Sequence, residues 1–348
     1  MKYKKRIFSG IQPSGDLHLG NYLGAIAQWI PLQNEYDSIF CVVDYHAITV
    51  PQDPKKLKKS IIDVARVYLA SGIDPEKAVI FQQSMVSAHT ELCWVLNTIS
   101  RMSDLFRMTQ FKDKSGIQTE LGDQENSLEA TREIIARLNK VGVGLFDYPA
   151  LMVADILLYN TDIVPVGEDQ KQHVELARDL AKRFNHQFGE TFVVPEAKVR
   201  KEAARIMALD DPMKKMSKSA TSEYNYISLI DEPDKAAKKI MRAVTDSGSE
   251  VKYDKEKKPA VSNLMVMYSL LAGINLKEIE KKYIGQGYGN FKKDLAEIVH
   301  AFLSGFQEKA AGYSDAGIKK LLSEGADKVK PIAEKNMDKV RERIGIKL

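Results

Sequence analysis

Phe8-Ser9-Gly10-Ile11-Gln12-Pro13-Ser14-Gly15-Asp16-Leu17-His18-Leu19-Gly20-Asn21 is the stretch that decides the fold. It continues a short apolar piece, Arg6–Phe8, which reads as the end of a strand. It precedes Tyr22–Leu32, where Leu23, Ala27 and Ile30 mark a helix and Pro31 its end. The order strand, glycine-rich turn, helix aims backbone N–H groups and the positive end of a helix dipole at one spot, where an anion can sit. Gly10, Gly15 and Gly20 admit positive φ or close approach of a ligand. Ser14, His18 and Asn21 supply uncharged donors suited to phosphate oxygens. The glycine spacing matches neither G-x-x-x-x-G-K-[ST] nor G-x-G-x-x-G. Taken alone, the stretch reads equally as an ordinary βα turn that carries a histidine.

The chain around it repeats the alternation. Ser38–Val43 is a continuous apolar run, as a strand buried on both faces should be, and it ends in Asp44-Tyr45-His46. Ligands bind beyond the carboxyl ends of strands in open α/β sheets, so His46 stands where a substrate could touch it, or is a turn histidine satisfied by local backbone. Asp53-Pro54 reads as an N-cap and first helical residue, and Leu57, Ile61, Val64, Ala65, Tyr68 and Leu69 share one helical face. Ala78–Phe81 is a third strand, followed by a helix over Ser87–Ser100. The β-α-β-α-β-α order predicts a parallel sheet with right-handed crossovers.

Further along, 116–140 is polar and rich in helix formers, and reads as a surface insertion with its own helix. Asp147-Tyr148-Pro149-Ala150 is expected to break the chain before an apolar helical run, Leu151–Asn160, in which Asp155 is the lone charge. A buried carboxylate costs several kcal/mol unless paired or hydrogen-bonded. Asp155 therefore either pairs internally or accepts a hydrogen bond from a ligand with an apolar body and one N–H or O–H. Asp162–Val166 is the next strand, with Pro165 suggesting an edge or strand-end position. It leads through Gly167-Glu168-Asp169-Gln170 into a helix over Lys171–Phe184. Arg205–Leu209 is expected as a short strand. Beyond Asn225 no further strands are expected. Ile227–Ile230, Ala236–Val244, Val261–Leu271, Leu276–Tyr283, Phe291–Phe306, Gly317–Leu322 and Ala326–Ile344 read as amphipathic helices.

Composition bounds the class. The 348 residues suit about two domains, and 44% hydrophobic with 28% charged residues is ordinary for a soluble globular chain. No apolar run approaches the ~20 residues of a membrane span. The basic start Met1–Arg6 lacks a signal-peptide core and reads as a solvated terminus, a loose arm or a mitochondrial-style leader. Cys41 and Cys93 sit in apolar surroundings without a C-x-x-C partner, which implies a reducing compartment and no cysteine-built metal site. A net charge of +4 is too small to prove a nucleic-acid partner. Basic helix faces in the C-terminal part (Lys235, Lys238, Lys239, Arg242; Lys281, Lys282, Lys292, Lys293) are either solvated or hold phosphates.

The segment Lys215-Met216-Ser217-Lys218-Ser219, inside a lysine-rich loop, tips the balance. Lysines on such a segment can swing onto a polyphosphate and stabilise its developing charge. Together with His18-Leu19-Gly20-Asn21 it resembles the signature pair of class I aminoacyl-tRNA synthetases. Val166–His173 and Ala154-Asp155-Ile156-Leu157 resemble the bacterial tryptophan-specific branch, and the resemblance runs from end to end. It implies a Rossmann-like parallel-sheet catalytic domain over 1–210, carrying the 116–140 insertion. A KMSKS loop over 211–224 and an all-α helical anticodon-binding domain over 225–348 would follow.

By the same resemblance, ATP would be held by Gln12, Pro13, Ser14, Gly20, Asn21, Gly167, Glu168, Asp169, Ile206, Lys215, Met216, Ser217, Lys218 and Ser219. Asp155 would accept the indole N–H of tryptophan, with Phe8, Gly10, Met152, Val164 and Val166 along the ring. His46, Tyr148 and Gln170 would hold the amino-acid head group. His18, Lys114, Lys215 and Lys218 would act in catalysis by positioning and charge. The implied partners are L-tryptophan, ATP with Mg²⁺, tRNA(Trp) and a second copy of the chain, in the cytoplasm and away from membranes. Three departures from the pattern stand out: the length of the segment between Lys114 and Tyr148, Ala220 where an acid is common, and His18 where threonine is frequent. A tyrosine-specific synthetase, a small-molecule adenylyltransferase and a catalytically silent RNA-binding paralogue are the competing readings.

Overall fold

The computed structural model describes residues 4–15, 17–108, 139, 141–167, 170–199, 205–217 and 222–348. The 116–140 insertion, Asn139 aside, lies outside them. Five strands form one parallel sheet: β1 (Arg6–Ile11), β2 (Asp37–Val42), β3 (Ala78–Gln82), β4 (Ile163–Val166) and β5 (Glu196–Val199), in the order β3-β2-β1-β4-β5. The apolar run of β2 divides by period two, as a strand covered on both faces must. Phe40 and Val42 join one core, and Ile39, Cys41 and Val43 the other. The chain leaves β1 towards β2 and β3, then returns to its far side for β4. The crevice at the carboxyl ends of β1 and β4 is therefore the switch point at which such sheets bind ligands.

After β1 come a short turn, α1 (Leu19–Asn21), a π-helical turn over Tyr22–Ile26, and α2 (Ala27–Glu35). Then follow α3 (Asp44–Ala47), α4 (Pro54–Ala70), α5 (Ala88–Ile99), α6 (Met102–Phe106), α7 (Val143–Leu157) and α8 (Lys171–Phe188). Asp53 caps α4, its carboxylate accepting the Lys55 and Lys56 N–H groups at 2.8 and 2.9 Å. The helical C-terminal part holds α9 (Pro233–Arg242), α10 (Pro259–Ala272), α11 (Leu276–Lys282), α12 (Gly287–Ala311) and α13 (Asp315–Arg343).

Several expectations are corrected. Helix α7 runs through Pro149 instead of starting after it, and Pro149 is buried within it. Pro165 is the next-to-last residue of its strand, but β4 lies inside the sheet order and β5 is the edge. Arg205–Leu209 is not a strand. Only Met207 makes an isolated antiparallel bridge, to Lys215. The polar sequence of β5 gave no strand signal. Ile227–Ile230 is not a helix: Ser228 bridges His18 and Leu229-Ile230 form a turn, with Ile227 O accepting the Leu19 N–H (2.8 Å) and the Leu229 N–H donating to Leu17 O (3.0 Å). Four residues cannot repay helix nucleation, whereas pairing satisfies their backbone at once.

Gly317–Leu322 and Ala326–Ile344 form a single helix, α13, and it does not stay with the C-terminal part. Ile318 and Leu322 pack in the core shared with the other C-terminal helices. Ala326, Val329, Ala333, Met337 and Val340 pack in the core on the other face of the sheet. The crossing point is Gly325, where an added Cβ would overlap the Ile80 carbonyl oxygen of β3. Asn336 Nδ2 donates to Leu158 O (2.7 Å), and Arg341 makes a bidentate pair with Glu91 of α5 (2.6 and 2.7 Å). The helix thus covers β3, which would otherwise be an open edge. The expected domain boundary at 225 does not separate this helix from the sheet.

Gly325→Ala should destabilise the protein by about 2–3 kcal/mol, because neither β3 backbone nor helix axis can give way freely. A urea midpoint lowered at unchanged m-value would show it.

Candidate active site

The carboxyl ends of β1 and β4 open into a cavity of about 300 Å³. That is the lower end of the size range for small-molecule sites. Phe8, Gly10, His46, Tyr148, Met152, Asp155, Val164, Val166 and Gln170 all line it, together with Gln12 and Gly167. The structure therefore brings together in one place every residue expected around the amino acid. Gly10 is required by packing: a Cβ there would lie 2.8 Å from Val43 Cγ1 and 2.9 Å from Cys41 O. Tyr68 fixes the strand ends below, its hydroxyl donating to Cys41 O and accepting the Ile11 N–H, both at 2.9 Å. Trp29 and Thr49 were not singled out in the sequence; both line the cavity, and Trp29 stacks on Phe40 at 5.0 Å.

Asp155 is 2% exposed and fully engaged on one side. Its Oδ1 accepts from Gln83 Nε2 (2.7 Å) and meets His89 Nδ1 at 2.6 Å, while Oδ2 meets His46 Nε2 at 2.8 Å. Burial works to raise its pKa, but the hydrogen bonds from His46 and His89 outweigh it and hold it down at about 2. Asp155 is thus an anion in the cavity wall that is paired internally and still borders the cavity, so the two readings open in the sequence are not exclusive. His46, expected at the head group, is turned through Nε2 onto Asp155, and its carbonyl accepts Gln12 Nε2 at 2.7 Å. Tyr148 Oη lies 2.8 Å from His173 Nε2. Sequence reading missed Gln83 and His89. Both follow β3, so the rule that ligands gather beyond strand ends could have found them.

The second group assembles beside this cavity. His18 is buried, its N–H donates to Asn21 Oδ1 (3.0 Å), and its Nδ1 has no hydrogen-bond partner among the described residues. Burial first, and the charge of Lys215 second, push its pKa down to about 4, so the ring is neutral at physiological pH. Gly20 lies under it: a Cβ there would meet His18 Nδ1 at 3.0 Å and Met216 Sδ at 3.4 Å. Met216 is buried, and its N–H donates to Ile206 O at 3.1 Å. The Ser217 N–H donates to Asn225 Oδ1 at 3.2 Å. His18, Gly20, Asn21, Ile206, Lys215, Met216 and Ser217 therefore converge. Pro13 is buried and Ser14 exposed in the turn after β1, where the Ser14 N–H donates to Gln12 O at 2.9 Å. Lys114, Glu168, Asp169, Lys218 and Ser219, and with them Ala220, lie outside the described residues.

Among the described residues, no set of three or more His, Cys, Asp or Glu side chains is placed to hold a metal ion. Cys41 and Cys93 are buried and unpaired, and burial pushes the Cys93 thiol up to about 12, far from a reactive thiolate.

A strand-turn-helix segment carrying a buried histidine, a lysine-bearing loop pinned against it and a cavity at the switch point fit a nucleotide-dependent synthetase of the Rossmann type. A family model described as "tRNA synthetases class I (W and Y)" matches residues 2–304. The chain is 51% identical to the tryptophan–tRNA ligase of Caldanaerobacter subterraneus over 98% of both chains. The crystal structure of tryptophanyl-tRNA synthetase from Mycoplasma pneumoniae superposes with a TM-score of 0.88 at 35% identity, covering 99% of each chain. That of the Campylobacter jejuni synthetase, complexed with ADP and tryptophan, gives 0.76 at 38% identity over 98% of this chain and 99% of its own. The chain belongs to the class I tRNA synthetases, in their tryptophanyl branch.

With its pKa lowered from 6.5 to about 4, His18 binds protons more readily in the unfolded chain. Stability should therefore fall as pH drops from 6.5 towards 4, by up to about 3 kcal/mol from this group. Denaturant titrations across that range should show a shallower slope for His18→Asn.

Proposed function

We infer that the chain activates L-tryptophan with ATP and transfers it to the 3′-terminal adenosine of tRNA(Trp). In the first step a carboxylate oxygen of tryptophan bonds to the α-phosphorus, the bond to the β-phosphate oxygen breaks, and pyrophosphate leaves with the electron pair. In the second, a ribose hydroxyl of the tRNA takes the aminoacyl group and AMP departs. The observation that carries this reading is the anionic Asp155 in the wall of an otherwise largely apolar cavity beside the His18 turn.

In this reading Asp155 accepts the indole N–H, and Phe8, Gly10, Met152, Val164 and Val166 enclose the ring. Tyr148 and Gln170 hold the head group, and His46 steadies Asp155 from the cavity side. A site built to hydrogen-bond one N–H rejects phenylalanine strongly, because the buried acceptor would be left unpaired. Gln12, Pro13, Ser14, Gly20, Asn21, Gly167, Glu168, Asp169, Ile206 and Lys215–Ser219 hold ATP. Neutral His18 donates to phosphate oxygens, while Lys114, Lys215 and Lys218 offset the charge growing on the leaving pyrophosphate. Mg²⁺ enters on the ATP phosphates as part of the substrate, as is usual for an ion that keeps several waters.

The protein acts as a homodimer in this reading. Trp94, Met102 and Val143 are 71%, 63% and 78% exposed, on three helices that pack together, which suits an interface. The exposed lysines of the helical part, Lys238, Lys281 and Lys293 among them, meet the tRNA in this reading, whereas Lys239, expected on the same basic face, is buried and paired with Asp231. Among the described residues no single helix is long and apolar enough to cross a membrane. Two buried reduced cysteines suit the cytoplasm.

Exchange of labelled pyrophosphate into ATP, run with each of the twenty amino acids and no tRNA, tests the reading. Exchange should depend on tryptophan alone. Exchange driven by tyrosine would overturn the role given to Asp155, and none at all from folded protein would point to a silent RNA-binding paralogue.

A further inference from the structure

The acceptor in the cavity wall is itself held by a buried relay that never reaches the cavity. His89 and Tyr159 are fully buried, and neither lines the cavity. His89 Nδ1 lies 2.6 Å from Asp155 Oδ1, and His89 Nε2 lies 2.7 Å from Tyr159 Oη. A carboxylate only accepts, so in the neutral ring Nδ1 carries the proton and Nε2 accepts from the Tyr159 hydroxyl. Burial keeps that hydroxyl protonated, well above its ordinary range. Phe81 packs against both rings, with centroids 5.8 Å from each.

Counting lone pairs shows what the relay does. An ionised carboxylate offers about four acceptor sites. Gln83 and His89 occupy both sites on Oδ1, and His46 occupies one on Oδ2. One site is left, on the oxygen shared with His46, the only one of these three donors that lines the cavity. With Oδ1 saturated from behind, the carboxylate cannot turn and offers the cavity that one site alone.

We propose that His89, with its tautomer set by Tyr159, is a specificity-determining positioning residue that fixes Asp155 so that a single acceptor site faces the cavity. The inference rests on the reading of Asp155 as the indole acceptor. It implies that recognition of the N–H, and not of the ring, depends on a residue that touches no substrate.

The test compares tryptophan with its 3-benzothienyl-alanine isostere, in which sulfur replaces the ring N–H, in amino-acid-dependent pyrophosphate exchange. His89→Phe should raise the KM for tryptophan about tenfold or more, as loss of a hydrogen bond to an oriented charged group does, with kcat and the KM for ATP little changed. The isostere should lose far less, so the preference for tryptophan shrinks. His89→Asn, which keeps a donor near the Nδ1 position, should restore much of that preference. Tyr159→Phe should weaken it in the same direction by a smaller factor. Equal losses for both substrates in His89→Phe, or an unchanged preference, would overturn the proposal. Should His89→Phe fail to fold, a preference unchanged in Tyr159→Phe overturns it instead. Asp155→Ala separates the two levels. If it leaves the preference intact, the indole reading itself fails. If it abolishes the preference while His89→Phe does not, only the role of His89 fails.

Discussion

A single buried carboxylate organises the wall of the cavity at the carboxyl ends of β1 and β4. Asp155 sits on α7, His46 on α3 after β2, Gln83 directly after β3, and His89 on α5. Four separate pieces of chain thus meet at two oxygen atoms. An ion removed from water costs several kcal/mol unless its lone pairs are satisfied, and removing one partner of such a set is strongly destabilising. The donors hold the charge in place, and in return the charge holds the strand ends at fixed distances. A second set behaves alike at the same edge of the sheet. Asp44 accepts from Gln82 Nε2 and from the Ser84 N–H and hydroxyl, joining the ends of β2 and β3. The strand ends at this edge are thus tied to one another by side-chain hydrogen bonds.

The sheet that carries these ends imposes a further demand. A parallel sheet must be covered on both faces, and its outer strands need protection. One long helix, α13, answers for β3 and for parts of both faces, passing from one core to the other at a glycine. The C-terminal helices reach the phosphate turn by another route. Lys239 is buried on α9, and its Nζ donates to Asp231 Oδ2 (2.6 Å) and Tyr226 O (2.9 Å). Asp231 accepts the Ser228 N–H at 3.0 Å, and Ser228 bridges His18. A charge buried in the helical part thereby shapes the piece of chain that pins the histidine turn.

Much of this was legible in the sequence where local pattern and tertiary demand agree. The apolar run of β2, the capped face of α4 and the glycine turn after β1 say the same thing at every level. Asp155 stood out because a lone charge in an apolar helix needs an explanation, and its surroundings supplied two at once. The failures share a cause. Glu196–Val199 is polar and becomes a strand only because Ile163–Val166 offers it a partner. Ile227–Ile230 has a helical pattern but is claimed by the backbone of Leu17 and Leu19. Gly325 looks like a helix breaker, yet it is the position at which α13 touches β3. His89 is one histidine on an apolar helix face, which most often means an ordinary core residue; only its neighbours in space give it meaning.

The cavity and the His18 turn are built by different means, and the difference fits the tasks proposed for them. The cavity relies on buried side chains that hydrogen-bond one another, with one acceptor site of Asp155 left over. The His18 turn and the segment that carries Lys215 rely on main chain. His18 is pinned by a backbone bridge, Met216 by Ile206, and Met207 by both the oxygen and the nitrogen of the Asn263 side chain at 2.9 and 3.0 Å. Main-chain pins fix where the lysine-bearing segment starts without fixing where a long side chain ends. That suits a reaction whose charge moves from the α-phosphorus to the departing pyrophosphate, since a charge on a flexible stem can follow it. His18 complements this by staying neutral beside Lys215, where a second positive charge would meet repulsion and burial together. In the function proposed above, discrimination between amino acids belongs to fixed geometry, and acceleration to charge that can be aimed.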